Sequence, residues 1–172
     1  MRVCQAKEAD IPAIAGVHVA AWKTAYRGII ADDFLDRLTI GRRDTLWRQY
    51  LAMSDRKLLI CKQGGEVTGF AACGPTRDRD KDPVLVGELY AINVAPDYWR
   101  QGCGQALVKR VIRELTRAKF ALVTLWVLDA NERARCFYER AGFALDADAS
   151  RKIQVSGTRL AEVRYRKNLI KS

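Results

Sequence analysis

The sequence predicts a mixed α/β domain built on a central sheet, and three observations carry that prediction. Segments of helical period alternate with short β-rich runs along the chain. Gly64-Gly65 stands between two apolar runs, as a hairpin turn does. Ala121 to Leu128 is apolar without alternation, the pattern of a strand covered on both faces. At 172 residues the chain matches one domain of the usual roughly 100–200 residues, so residues 1–172 are read as a single unit. No repeat, low-complexity tract or linker divides it.

In chain order, Val3 to Ala6 reads as a first strand. Asp10 then serves as N-cap, with Pro12 tolerated in the first turn. Ile11, Ile14, His18, Trp22 and Ala25 recur at helical spacing and predict a helix to about Tyr26. A second helical stretch runs from Asp32 to about Met53, interrupted near Gly41. Lys57 to Gln63 and Glu66 to Gly74 form the hairpin, and Arg77 to Asp82 reads as a solvated charged loop. Val84 to Val94 is a long apolar strand. Gly104 to about Lys119 is a helix with Ala106, Leu107, Val111 and Leu115 on its apolar face. A short helix from Asn131 to Ala141 closes on Gly142, a good residue just past a helix end. Two strands follow, the longer around Arg159 to Lys167.

Thirty Lys and Arg against twenty Asp and Glu leave a net charge of +10. Residues 100–119 carry six basic and one acidic side chain, and residues 148–172 carry seven and two. Each segment is therefore +5, the remaining charges cancel, and a preferred anion is expected near one of the two. Five widely spaced cysteines without a Cys-x-x-Cys pair, and a single histidine, His18, argue against a disulfide framework or a metal site. The stretch Ile11 to Trp22 is too short to span a bilayer and follows acidic residues rather than a positive leader. The expectation is a cytoplasmic protein with reduced thiols. His18 reads as a satisfied core residue.

The densest signal is Val94-Ala95-Pro96-Asp97-Tyr98-Trp99-Arg100-Gln101-Gly102-Cys103-Gly104: an apolar strand, a Gly-x-Gly turn, then an amphipathic helix. Glycine permits positive φ and close backbone approach. The first helical amides lack internal acceptors and sit at the positive end of the dipole, a ready place for phosphate. The dinucleotide and P-loop fingerprints are both absent, and alone the turn is an ordinary tight one. Downstream, Asn131, Ala134 and Tyr138 share one face of the short helix.

Together, Val94-x-Pro96, Arg100-Gln101-Gly102-x-Gly104 and Asn131-x-x-Ala134-x-x-Phe137-Tyr138-x-x-x-Gly142-Phe143 resemble the motifs of the GCN5-related N-acetyltransferase (GNAT) superfamily. One departure is Trp99, where the family usually has Gln or Arg. The resemblance implies a mostly antiparallel central sheet with flanking helices, in which one parallel strand pair splays apart around acetyl-CoA as cosubstrate. By that analogy the backbone of Ile92, Asn93 and Val94 bonds the pantetheine. The amides of Arg100, Gln101, Gly102, Cys103, Gly104 and Gln105 hold the pyrophosphate. Asn131, with Phe137 and Tyr138, meets the cofactor from the other side.

Tyr138 is the family's usual general acid, protonating the departing thiolate. Glu88, a carboxylate in an apolar strand, is the candidate base, since burial raises a carboxyl pKa. The alternative for Glu88 is a structural pair with an arginine. Trp22, Tyr26 and Phe34 are candidates to line the acceptor pocket, with packing in the core as their alternative.

The resulting expectation is an acetyl-CoA-dependent N-acetyltransferase acting on a small-molecule primary amine by direct attack, without a metal or a membrane. A protein N-terminus or lysine is the second enzyme reading, and a basic nucleic-acid-binding module is the reading of another class. A homodimer through the C-terminal strands is left open.

Overall fold

The computed structural model describes residues 1–170. One seven-stranded sheet organises them, comprising β1 (Arg2–Gln5), β2 (Lys57–Gln63), β3 (Glu66–Pro75), β4 (Val86–Val94), β5 (Leu122–Leu128), β6 (Ala144–Val155) and β7 (Thr158–Asn168). The spatial order is β1-β2-β3-β4-β5-β7-β6. Every neighbouring pair is antiparallel except β4 and β5. Helices α1 (Ile11–Ala25), α2 (Asp32–Asp36) and α3 (Ile40–Leu51) precede the hairpin, α4 (Cys103–Arg117) joins β4 to β5, and α5 (Glu132–Arg140) follows β5.

The central strands are apolar at nearly every position because both faces are covered. On β2, Leu59 and Cys61 join Leu107, Val111 and Leu115 of α4 in one core. Leu58 and Ile60 point the other way, to Ile11, Ile14 and Val17 of α1 and Trp47 of α3. On β3, Ala71 and Cys73 face α4, while Phe70 and Ala72 face α1 and α3. Each fully buried Leu, Ile or Phe contributes about 1.5–3 kcal/mol by leaving water.

Three boundaries and the state of one loop differ from the sequence reading. The helical stretch breaks at Arg37 to Thr39 rather than at Gly41, which lies in the first turn of α3. Strand β4 begins at Val86; Val84 and Leu85 remain 75% and 53% exposed, so their hydrophobicity marks no strand. Helix α4 starts one residue earlier, at Cys103, with Gly102 as N-cap at φ +85°. The segment from Arg77 to Asp82 is tied down, not freely solvated. Arg164 of β7, 6% exposed, donates from Nη1 to Asp78 at 3.1 Å, from Nη1 and Nη2 to Asp80 at 2.9 and 2.8 Å, and from Nε to Asp146 at 2.9 Å. Trp126 Nε1 donates to the other Asp78 oxygen at 2.8 Å.

Part of the second +5 segment is engaged in the same way. Besides Arg164, Arg151 pairs with Glu162 at 2.7 Å and Lys167 donates to the Gly142 carbonyl at 3.1 Å. Of these, Arg164 alone meets acids from outside the segment at hydrogen-bond distance; Glu162 lies within it, and Gly142 offers a neutral carbonyl.

Candidate active site

Strands β4 and β5 pair only at Val86–Leu122, Gly87–Val123 and Glu88–Thr124. Past that point β4 stays on β3 and β5 stays on β7. A wedge-shaped gap therefore opens between two strands of one sheet, as expected. The amide of Ala95 donates to Thr68 of β3 at 2.9 Å. The two-residue strand period then turns the amides and carbonyls of Ile92 and Val94 away from β3, into the gap. Asn93, one residue out of phase, faces its side chain into a separate cavity described below.

The loop between β4 and α4 closes one end of the gap. Arg100 and Gly102 both adopt positive φ, at 61° and 85°, which gathers successive amides onto one side. No side chain caps α4, and the first intrahelical bond is Ala106 N to the Gly102 carbonyl at 3.0 Å, so the amides of Cys103, Gly104 and Gln105 stay open. A Cβ at Gly104 would stand 3.2 Å from the Phe137 ring, which is how closely α4 and α5 approach here.

Trp99 has a definite place. Its Nε1 donates to the Val94 carbonyl at 2.7 Å, and the Arg133 guanidinium stacks 3.6 Å from its ring centre. Burial and the neighbouring Arg100 charge both lower the Arg133 pKa. Two cations thus converge beside the open amides. Arg133 escapes sequence reading because its contact partner lies 34 positions earlier, on another element. Further along the first basic segment, Lys109, Arg113 and Arg117 are exposed, while Arg110 pairs with Glu114 at 2.6 Å and donates to the Val3 carbonyl.

The far wall of the gap is α5. Asn131 caps it, its side-chain oxygen accepting from Ala134 N at 3.1 Å, which leaves the amide group of the same side chain for a ligand. Tyr138 is 8% exposed, packed edge-on against Phe137 and Phe143 and tilted against Tyr165. Burial, reinforced by Tyr26 nearby, pushes its pKa up, so the phenol keeps its proton at neutral pH. Burial likewise pushes the Cys103 thiol to about 12, leaving no thiolate there despite the helix N-terminus.

On the opposite face of β4 lies a cavity of about 350 Å³ formed by α1, α3, β3 and β4. Trp22, Trp47, Tyr50 and Tyr90 wall it, with Arg43, Arg56 and Arg77 among them. Tyr90 is the extra residue of a β-bulge: Ala72 pairs with Ala91, but Cys73 pairs with Leu89. The bulge aims the Tyr90 ring into the cavity, where its hydroxyl donates to the Pro75 carbonyl. Tyr50 is tied similarly, to the Cys73 carbonyl at 3.1 Å.

Of the three aromatic candidates, Trp22 lines this cavity. Phe34 does not; it borders a smaller one of about 260 Å³ beside Arg37 and Arg42, because α2 directs it away from β4. Tyr26 packs with Trp22 at 4.9 Å, in the cluster around Ile30, Leu35 and Leu128, toward Tyr138 rather than in the cavity wall. The aromatics missed, Trp47, Tyr50 and Tyr90, sit on α3 and at the bulge, where periodicity alone reads them as core.

Glu88 is buried as expected, at 1% exposed, but it is not an isolated carboxylate. The Arg77 backbone amide and Nε donate to one oxygen at 2.9 and 3.2 Å, and Arg77 Nη2 donates to the other. Both oxygens are occupied in this state, and Arg77 also stacks over Tyr90, 4.3 Å from its ring centre. His18 is 5% exposed, its Nδ1 accepting from Trp47 Nε1 at 3.0 Å. Burial, with the Arg43 charge, lowers its pKa to about 3.

Among the described residues no group of three or more His, Cys, Asp or Glu could hold a metal, and no helix is long and apolar enough to cross a membrane. The gap, its open amides and its tyrosine suit a coenzyme A thioester, and comparison with known proteins bears on that fit. The uncharacterised N-acetyltransferase YuaI of Bacillus subtilis is 33% identical over 162 residues, covering 94% of this chain and 89% of that protein. Two solved structures share the fold. The PaiA N-acetyltransferase of Thermoplasma acidophilum, in complex with coenzyme A, has a TM-score of 0.79 at 15% identity over 97% of this chain and 98% of its own. YncA of Salmonella typhimurium, with acetyl-CoA as its cofactor, has a TM-score of 0.75 at 22% identity over 100% and 95%. The sequence profile described as the acetyltransferase (GNAT) family matches residues 23–143, and with it the chain belongs to that family, as an acetyl-CoA-dependent N-acetyltransferase.

Proposed function

We propose that the protein acetylates the primary amine of a small molecule by direct attack on acetyl-CoA bound between β4 and β5. The observation that carries this reading is the double use of β4. Its Ile92 and Val94 backbone groups face the gap, while Tyr90, Ala91 and Asn93 line the aromatic cavity on its other side. A thioester in the gap and an amine in the cavity then meet across one strand, which is the proximity that makes a bimolecular step effectively unimolecular. A cavity of about 350 Å³ suits a small molecule.

Acetyl-CoA supplies the activated acyl group; the chain's residues orient it and move protons. The amides of Cys103, Gly104 and Gln105, with Arg100 and Arg133, hold its phosphates, and Asn131 and Phe137 flank its pantetheine arm. Tyr138, protonated and without a hydrogen-bond partner among the described residues, delivers a proton to the departing sulfur. Glu88 accepts the amine proton, directly or through water. The Glu88 oxygen that accepts from the Arg77 side chain alone keeps a second lone pair for that proton. The high pKa of the Cys103 thiol is consistent with direct transfer rather than an acyl-cysteine.

An amine-library screen with acetyl-CoA, reading free thiol release, tests the reaction class; acetylation of peptides alone would reassign the acceptor. Tyr138→Phe is expected to lower kcat by about 10²- to 10⁴-fold with acetyl-CoA affinity kept. Equal losses in both would make Tyr138 a packing residue. Glu88→Gln should lose most rate at low pH, where the amine is protonated, and an unchanged pH–rate profile would remove Glu88 as base.

A further inference from the structure

The acceptor cavity is unusual in what it offers a ligand: hydrogen-bond donors and positive charge, and no carboxylate on its walls. Among the described residues, two buried side-chain nitrogens have no hydrogen-bond partner, His18 Nε2 and Arg56 Nε, and both belong to residues lining this cavity. Trp47 Nε1 donates to His18 Nδ1, so the neutral ring carries its proton on Nε2. The orphan atom is therefore a donor, on a side chain 95% removed from solvent. A buried donor left unpaired costs about 1–3 kcal/mol, and a ligand that bonds it removes that cost.

Charge sets the ligand's class. Arg77 is offset by Glu88, and Arg56 stands 3.8 Å from the Asp55 carboxylate. Among the described residues Arg43 has no carboxylate partner; it faces the Trp22 ring, 5.2 Å away, and burial lowers its pKa. His18 stays neutral and adds donor capacity without charge. The cavity thus presents about one uncompensated positive charge beside neutral donors and aromatic walls.

We infer that the acceptor is an amine that also carries a carboxylate on an aromatic or similarly flat body, the carboxylate bonded by His18 Nε2–H and Arg43. This rests on the reading of the cavity as the acceptor site. A dianionic phosphate would need a second free cation, which Arg56 and Arg77 in their present pairs do not supply. The amino group is left to point toward β4 and the thioester.

The test uses matched pairs, phenylalanine against phenethylamine and tryptophan against tryptamine, with O-phosphoethanolamine as the phosphate arm. Calorimetric binding to the enzyme saturated with coenzyme A is read beside acetylation. At least tenfold tighter binding of the carboxylate member is expected, abolished by Arg43→Gln and by His18→Phe while coenzyme A affinity is unchanged in both. His18→Gln, which restores a donor of similar reach, should recover part of the preference and guards against misfolding of His18→Phe. Equal binding within each pair, no binding by any pair, or preference for O-phosphoethanolamine overturns the inference. Acetylation of the plain amines without carboxylate preference would sink it alone and leave the amine-acetylation reading standing. Carboxylate-dependent binding with no acetylation of any amine would instead count against that reading.

Discussion

Replacing Arg164 with methionine probes how the acceptor side is held, because this one side chain ties the Thr76–Asp82 loop to the C-terminal strands. Its four hydrogen bonds reach three carboxylates of very different exposure: Asp78 at 7%, Asp146 at 20% and Asp80 at 59%. Methionine keeps most of the aliphatic volume but leaves Asp78 as a buried charge with only Trp126 Nε1 to bond it. Breaking a buried pair from one side costs about 3–5 kcal/mol, a large part of the roughly 5–15 kcal/mol that holds a domain together. Asp80→Asn should cost at most about 1 kcal/mol, since more than half of that carboxylate is in water and exposed pairs contribute little. The ranking matters more than either number: the exposed, bidentate partner is the weaker one.

Two assays check this. Urea unfolding at pH 7 should show the ordering Arg164→Met well below Asp80→Asn, with Arg164→Lys between them. A brief trypsin pulse, analysed by mass spectrometry, reads the loop itself, which holds three cleavage sites at Arg77, Arg79 and Lys81. Those sites should resist in the wild type and open first in Arg164→Met, before any site in β2 or β3. An Arg164→Met protein within about 1 kcal/mol of wild type, with no earlier cleavage at residues 77–81, would refute the anchoring argument.

Four further outcomes follow from the same contacts. Acid should destabilise the protein in two windows. The His18 pKa is lowered in the fold, so the unfolded chain binds the extra proton, and stability falls by about 1.4 kcal/mol per pH unit below about 6.5; His18→Gln should flatten that slope in denaturation between pH 6.5 and 5. Asp80, held down to about 2 by its hydrogen bond to Arg164, contributes above the unfolded value near 3.9 and loses that contribution as pH falls from about 4 to 2; Asp80→Asn should remove this component. Gly102→Ala should weaken coenzyme A binding and lower stability by roughly 1–2 kcal/mol, because φ +85° crowds a Cβ; a calorimetric Kd and a melt that both match wild type would contradict it. Arg133→Leu should lower acetyl-CoA affinity about tenfold, or 1.4 kcal/mol, with a reduced salt dependence, and an unchanged Kd would confine Arg133 to its stack on Trp99.

The cofactor side of this molecule is legible in sequence because its determinants are local. An open helix N-terminus, a glycine at φ +85° and an N-cap asparagine each declare themselves within a few residues. The acceptor side is not local. Arg77 and Glu88 lie eleven positions apart across a loop, and Arg164 reaches its Asp80 partner from 84 positions away. From periodicity, Glu88 looks like a lone buried acid and Arg77 like a solvated charge; only the tertiary pairing makes them one unit. The Tyr90 bulge is equally silent, since one inserted residue leaves the apolar run of β4 intact while turning a ring into the cavity. Past Glu88, where β4 parts from β5, the strand has lost a neighbour: Trp99 Nε1 takes the freed Val94 carbonyl, and the remaining backbone groups facing the gap are left for a ligand. On the other side of the strand the Arg77–Glu88 pair fixes the loop. Substitutions that loosen the loop should therefore raise KM for the acceptor without moving Kd for acetyl-CoA, whereas those at residues 99–105 should do the reverse. A loop variant that changed both equally would mean the two sides of β4 are not independent, and the division of labour argued for this strand would fail.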